Sequence, residues 1–162
     1  MKKIAILILV ITLLASFSAY PAYAISDKAD GPVKADLVEW GPNGDIVGKV
    51  ILNTTASGNL EVLVNMDTEP NLEDYDVIVV VRYYPPPYSP PPESPPDVYE
   101  RFPDILHTDT DGHGNAHVSV GINPPPTDSS IWVTIRVREQ PPGPPPPTPS
   151  RYCTEPVEVP LK

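Results

Sequence analysis

Runs in which apolar and polar residues alternate one by one recur along this chain and restrict its fold more than any other feature. The clearest run spans 131–138, where Ile131, Val133, Ile135 and Val137 alternate with other side chains. A period of two puts successive side chains on opposite faces of a β-strand, so each run predicts a strand with one buried face. No stretch after residue 24 shows the 3.6-residue periodicity of an amphipathic helix. The sequence therefore predicts an all-β protein.

Further runs of this kind, separated by turn residues, bring the number of predicted short strands to about eight. They cover 34–40, 46–54, 60–66, 75–84, 105–108, 115–122, 131–138 and 152–161. Short strands at this spacing are typical of an antiparallel β-sandwich of the Ig-like or Greek-key type, and a closed barrel is the alternative. The run 75–84 is the most apolar of the mature chain, so we expect a strand covered on both faces or central in its sheet. The last run contains Pro156 and Pro160, which cannot donate ladder hydrogen bonds, so it predicts an edge strand.

The first 24 residues have the composition of a secretory signal peptide. Lys2 and Lys3 form a basic start, residues 4–17 are almost entirely apolar, and 22–24 (AYA) fits a small-x-small cleavage site. The apolar run is short for a membrane span, although an uncleaved N-terminal anchor stays an alternative. Cleavage after Ala24 leaves 138 of the 162 residues and changes the formal charge from −10 to −12. We expect a secreted or cell-envelope protein with a flexible leader over 25–33 and a single domain over 34–162.

The acidic charge limits the partners of the mature chain. Phosphates repel carboxylates, which argues against nucleic acid and against an anionic membrane surface beyond the signal peptide. The single cysteine, Cys153, cannot form an internal disulfide, so it is either an apolar filler or an intermolecular thiol. Asn53 begins an N-glycosylation sequon, Asn53-Thr54-Thr55.

Proline is concentrated in two loops, 85–96 and 141–149, with a shorter run at 124–126. Such segments adopt a stiff, solvated polyproline II conformation. If successive strands alternate in direction, 85–96 and 123–130 lie at one end of the domain, and 109–114 and 141–149 lie at the other.

Aromatic residues in and beside the first proline-rich loop form the predicted contact surface. Aromatic side chains on a stiff loop lose little entropy on binding, so we predict contacts with an extracellular protein or glycan. A rigid spacer loop is the alternative. The predicted contact residues are Tyr83, Tyr84, Tyr88, Tyr99 and Phe102.

The hairpin predicted over 105–122 carries a possible metal site. If Thr108 lies opposite Ala116, then His107 lies opposite His117, and two imidazoles across a strand pair could share zinc or copper. A register shift of two residues would separate them. The alternative is a solvated strand face that happens to carry both histidines.

The turn of this hairpin offers further oxygen and nitrogen ligands. Asp109, Asp111 or His113 could supply a third ligand to such a metal. Residues 109–112 (DTDG) also look like the start of a calcium loop. However, the twelfth position is Val120 instead of the glutamate of an EF-hand, so the aspartates are better explained as turn formers.

Motifs of catalysis are missing from the sequence, which contains no G-x-S-x-G, no H-E-x-x-H and no glycine-rich phosphate loop. We therefore predict a non-enzymatic binding or structural module without a cofactor. An extracellular metal-binding protein that uses the histidine pair is the alternative, and a secreted hydrolase is third.

The segment 108–120 (TDTDGHGNAHVSV) resembles the T-D-x-x-G-x-x hairpin of secreted Ig-like and transthyretin-like repeat domains. The order around it is also similar, with a long valine-rich strand before it and an alternating strand and a terminal V-x-V after it. The resemblance implies a β-sandwich that acts as an accessory module, such as a stalk, an adhesin segment or a unit that contacts carbohydrate or protein.

Overall fold

The computed structural model describes residues 31–41, 44–68, 73–86, 97–122, 130–139 and 151–162. The predicted signal peptide, Tyr88 and almost all of the proline-rich loops lie outside these residues. Within the described ranges, no helix is long and apolar enough to cross a membrane. The described residues form nine strands: β1 (Val33–Glu39), β2 (Ile46–Thr54), β3 (Asn59–Asp67), β4 (Asp74–Arg82), β5 (Val98–Thr108), β6 (His113–Gly121), β7 (Ser130–Glu139), β8 (Tyr152–Cys153) and β9 (Val157–Pro160).

The strands join edge to edge in an antiparallel barrel with eight positions around its circumference. Their order is β1-β2-β3-β6-β5-β4-β7-β8, and β8 pairs in turn with β1. The short strand β9 also pairs with β7, beyond β8, so the two share one position. The predicted Ig-like sandwich of two sheets is therefore wrong, and the barrel that was its alternative is the observed fold.

The ring closes where the two ends of the domain meet. Cys153 on β8 pairs with Val38 on β1 and, on its other side, with Arg136 on β7. Closure pairs strands that would otherwise be exposed sheet edges. A sandwich and a barrel both need alternating inward side chains, so the sequence pattern could not distinguish between them. The pairing of β1 with β8 decides the matter.

The connections from β3 to β4 and from β6 to β7 join strands that are not neighbours in the ring, which gives the barrel a Greek-key topology. Strands β4, β5 and β6 follow one another as a meander, with β3 and β7 on its two sides. Because all neighbours are antiparallel, the strand ends that flank 85–96 and 123–129 lie at one end of the barrel. The turn at 109–112 and the strand ends that flank 140–150 lie at the other. These directions agree with the counting of strands, while the proline-rich loops themselves fall outside the described residues.

The side chains that the alternation predicted to point inward fill the barrel. On β7, Ile131, Val133, Ile135 and Val137 are all fully buried. Strands β2 and β3 form the predicted hairpin, with seven residue pairs in register from Gly48↔Met66 to Thr54↔Leu60. Burial of one aliphatic side chain contributes about 1.5–3 kcal/mol, so this core is the main source of stability.

Strand β4 confirms the prediction of a strand buried on both faces. Every residue from 75 to 81 is buried, and β4 lies between β5 and β7. The inward residues Tyr75, Val77, Val79 and Val81 belong to the core. The residues between them face the outside of the barrel and are nevertheless covered.

Strand β5 is much longer than the sequence predicted, since it begins at Val98 instead of residue 105. Pro103 cannot donate a ladder hydrogen bond, which locally disfavours a strand that continues through residue 103. The structure accommodates Pro103 at an irregularity in the β4–β5 pairing, where Asp104 adopts a φ of 51°. Aspartate tolerates this left-handed conformation better than most residues.

Candidate functional site

The structure describes only the two ends of the first proline-rich loop, and side-chain hydrogen bonds connect these ends. Arg82 Nε donates to Asp97 Oδ2 at 3.2 Å, and Tyr84 Oη donates to Asp97 Oδ1 at 2.8 Å. One carboxylate thus ties the end of β4 to the start of β5. We call Arg82, Tyr84 and Asp97 the braced base. It fixes the two points from which the loop departs.

The structure separates the predicted contact residues into two groups. Tyr83 is buried, and Tyr84 and Phe102 pack partly against the core. Tyr99 is 61% exposed on β5, two residues after Asp97. Tyr88 lies outside the described residues. Within the described ranges, Tyr99 is therefore the predicted contact residue that is most exposed to solvent. Sequence alternation already hinted that Tyr83 points inward, because it continues the inward phase of β4.

A buried ion cluster lies between β4, β5 and β7. Asp76 has no exposed side-chain surface, and its Oδ2 accepts from Arg101 Nη2 at 2.6 Å and from Arg138 Nη2 at 2.8 Å. Its Oδ1 accepts from the backbone N–H of Asp104 at 3.3 Å, at the irregular point of β5. Burial alone would raise the pKa of Asp76, but the hydrogen bonds from Arg138, Arg101 and Asp104 together hold this pKa below its ordinary value.

The sequence analysis missed this cluster, although the sequence contains a signal for it. Asp76 interrupts the most apolar run after residue 24, and a carboxylate within such a run requires a buried cationic partner. The cluster also places a net positive charge on the outer surface of β5, β4 and β7, because it contains two arginines and one aspartate. We call this surface, with Arg101, Arg136 and Arg138, the arginine face.

The two histidines of the predicted metal site are not opposite each other. Thr108 pairs with Gly114 instead of Ala116, which is a shift of two residues from the predicted register. His107 pairs with Asn115, and His117 lies opposite Leu63 of β3.

Each histidine has its own carboxylate partner. His107 Nδ1 lies 2.7 Å from Asp74 Oδ1, and His117 Nε2 lies 2.9 Å from Glu61 Oε2. In the described parts of the chain, no group of three or more histidine, cysteine, aspartate or glutamate side chains is arranged to hold a metal ion. The geometry therefore lends no support to a shared zinc or copper site.

One aspartate of the β5–β6 turn, Asp109, stabilises the turn with its side chain. Asp109 Oδ1 accepts backbone N–H bonds from Asp111 at 2.9 Å and from His113 at 3.0 Å. Both bonds lower the pKa of Asp109, and the bond from His113 has the larger effect. Asp109 is thus a turn former. Gly112 ends the turn with a φ of 84°, which lies in the left-handed region that favours glycine.

An open groove of about 690 Å³ lies on β2, β3 and β6 beside this turn. Lys49 and Asn65 pair across β2 and β3, and Asn65 pairs in turn with Asn115 on β6. His113 lies 3.2 Å from Asp67 at its rim. The groove is open and is lined by both apolar and polar side chains, and it contains none of the predicted aromatic contacts.

Cys153 is a free thiol on the outer surface of β8, partly buried between β1 and β7. Burial raises its pKa, an effect that the nearby Arg136 opposes. A raised thiol pKa reduces the thiolate fraction at neutral pH and with it the reactivity of Cys153.

The sequence matches no known family model, and no curated protein or solved structure is significantly similar to it. The resemblance to Ig-like and transthyretin-like domains therefore stays a prediction, while the sandwich that it implied is corrected by the barrel.

Proposed function

We propose that this protein is an exported, non-enzymatic binding module that contacts an extracellular protein or glycan through Tyr99 and the proline-rich loop above the braced base. Tyr99 carries the proposal, because a tyrosine 61% exposed on a rigid strand is ready for contact with a partner. Tyrosine supplies a large contact area with few rotatable bonds, and it is enriched at binding hot spots.

Preorganisation supports the same conclusion. The braced base holds both ends of the loop on adjacent strands of a closed barrel. Stiff polyproline segments lose little conformational entropy when they bind. A partner that contacts Tyr99 would therefore meet a surface beside which both strand ends that flank the loop are already held in place.

The proposal is tested with residues 25–162 immobilised and exposed to extracts of the cell envelope of the source organism. We expect Tyr99→Ala to weaken capture of the partner by at least about tenfold, since truncation of a hot-spot tyrosine costs about 2 kcal/mol or more. Trp40→Ala is the matched control, because Trp40 is equally exposed, at 62%, but lies at the opposite end of the barrel.

Deletion of residues 86–96 tests the loop itself. We expect the deleted chain to fold, because the described core lies outside this range, and to lose capture of the partner. If the deleted chain still binds, the loop is a spacer. If Tyr99→Ala and Trp40→Ala weaken capture equally, the proposed surface is wrong.

A further inference from the structure

Arg136 is the exception among the arginines of the described chain. Four arginines form ion pairs: Arg82 with Asp97, Arg101 and Arg138 with Asp76, and Arg151 with Glu73 and Glu139. The backbone of Arg136 pairs within the barrel, but its side chain makes neither a hydrogen bond nor an ion pair with any described residue. Its Nε is enclosed and has no acceptor there.

The surroundings of Arg136 leave its charge uncompensated. It lies on the outer surface of β7, between Ile78 of β4 and Cys153 of β8. Glu155 is close enough to act on the Cys153 thiol, but no ion pair joins it to Arg136. A partly buried guanidinium without an acceptor loses hydration and gains nothing in return, so the position favours an added anion.

The arginine face as a whole reinforces this preference. Arg101, Arg136 and Arg138 contribute three positive charges, and Asp76 neutralises one of them. Arg138 Nε is also enclosed without an acceptor, two residues along the same strand. An arginine fork pairs best with a planar carboxylate. The charge of −12 on the mature chain opposes long polyanions, which favours a ligand with few charges.

We propose that Arg136 is the anchor of a binding site for a small carboxylate ligand on the arginine face, with Arg138 beside it. The inference goes beyond the proposed contact with a partner through Tyr99, because binding of a small carboxylate can be measured without any partner.

The test is an NMR titration of ¹⁵N-labelled residues 25–162 with sodium acetate at constant ionic strength, with chloride as the balancing anion. We expect saturable shifts of the Arg136 Nε–H and of backbone amides over 134–138, with a dissociation constant on the order of millimolar. Arg136→Gln should weaken binding by about tenfold or more, because charge-assisted bonds are lost. Arg151→Gln removes a paired arginine elsewhere and should leave the affinity unchanged.

Arg136→Lys separates charge from geometry, since it keeps the cation and loses the fork. We expect it to bind acetate more weakly than the natural chain, and it also provides the test if the amide spectrum of Arg136→Gln shows unfolding. The inference is overturned if the natural chain shows no saturable shift, or if both Arg136 variants bind acetate as the natural chain does. Either result would leave capture through Tyr99 unaffected, so the two proposals fail separately.

Discussion

Replacement of Asp76 by asparagine is the sharpest test of how this barrel is held together. The substitution keeps the size of the side chain and removes its charge. It leaves Arg138, whose side chain is only 14% exposed, without a carboxylate inside the structure. Arg101 is 44% exposed and can turn towards water instead. The N–H of Asp104, at the irregular point of β5, loses a charged acceptor.

The expected loss of stability follows from these exposures. Removal of one partner from a buried ion pair costs about 3–5 kcal/mol. Partial exposure of Arg101 reduces the cost, and the weakened Asp104 hydrogen bond adds about 1 kcal/mol. We therefore expect Asp76→Asn to lower the free energy of unfolding by about 3 kcal/mol. With a urea dependence of roughly 2 kcal/mol/M, the unfolding midpoint falls by about 1.5 M.

Urea unfolding of residues 25–162 at neutral pH, followed by tryptophan fluorescence, measures this loss. Asp36→Asn is the control, because Asp36 forms an exposed pair with Lys49 at 2.7 Å. Exposed pairs contribute about 0–1 kcal/mol, so the control should barely move the midpoint. A loss below about 1 kcal/mol for Asp76→Asn would refute the reasoning that the cluster is buried and essential.

The difference in stability between the natural chain and Asp76→Asn should also depend on pH. The folded-state pKa of Asp76 lies below its ordinary value of 3.8, so the charged form stabilises the fold. This stabilisation is complete above the unfolded-state pKa and is lost as pH falls through the lowered folded-state pKa. The difference in stability between the natural chain and Asp76→Asn should therefore be constant near neutral pH and shrink below pH ~4. A difference that grows as the pH falls would contradict the sign of the shift.

Two further predictions test the closure of the barrel and its tightest strand contact. Val38→Cys should form a disulfide with Cys153 under mild oxidation, because the two are direct partners across β1 and β8 and such pairs lie about 5.5 Å apart; free thiols by mass spectrometry would show that the ring is open there. Gly48→Ala should lower the free energy of unfolding by about 2 kcal/mol or more, because the added Cβ would meet the backbone oxygen of Asn65. Gly121→Ala is the control. Open space surrounds Gly121, so this substitution should be nearly neutral in the same urea assay.

Strand content could be predicted from the sequence because it depends on local alternation. The span of β2 was predicted residue for residue, and β3, β4 and β7 agree to within two residues at each end. The start of β5 could not be predicted, because Pro103 argues locally against a strand. The strand continues past it through an irregularity at which the N–H of Asp104 donates to the buried Asp76, a contact between residues distant in sequence.

The candidate sites depended only in part on the linear pattern. The burial of Tyr83 continues the alternation of β4, whereas the exposure of Tyr99 depends on the early start of β5, which the sequence pattern did not show. The separation of His107 from His117 follows from a register shift of two residues, which keeps every side chain on its own face and is therefore invisible to alternation.

By itself, the sequence determined that this chain forms β-strands and which side of most strands is apolar, because those properties depend on neighbours one and two residues away. Only the tertiary structure decided that the strands close into a barrel, that Asp76 binds Arg101 and Arg138, and that Arg136 has no carboxylate partner among the described residues. Each of these depends on residues that are distant in sequence and meet through strand order and register, which alternation along the chain does not encode.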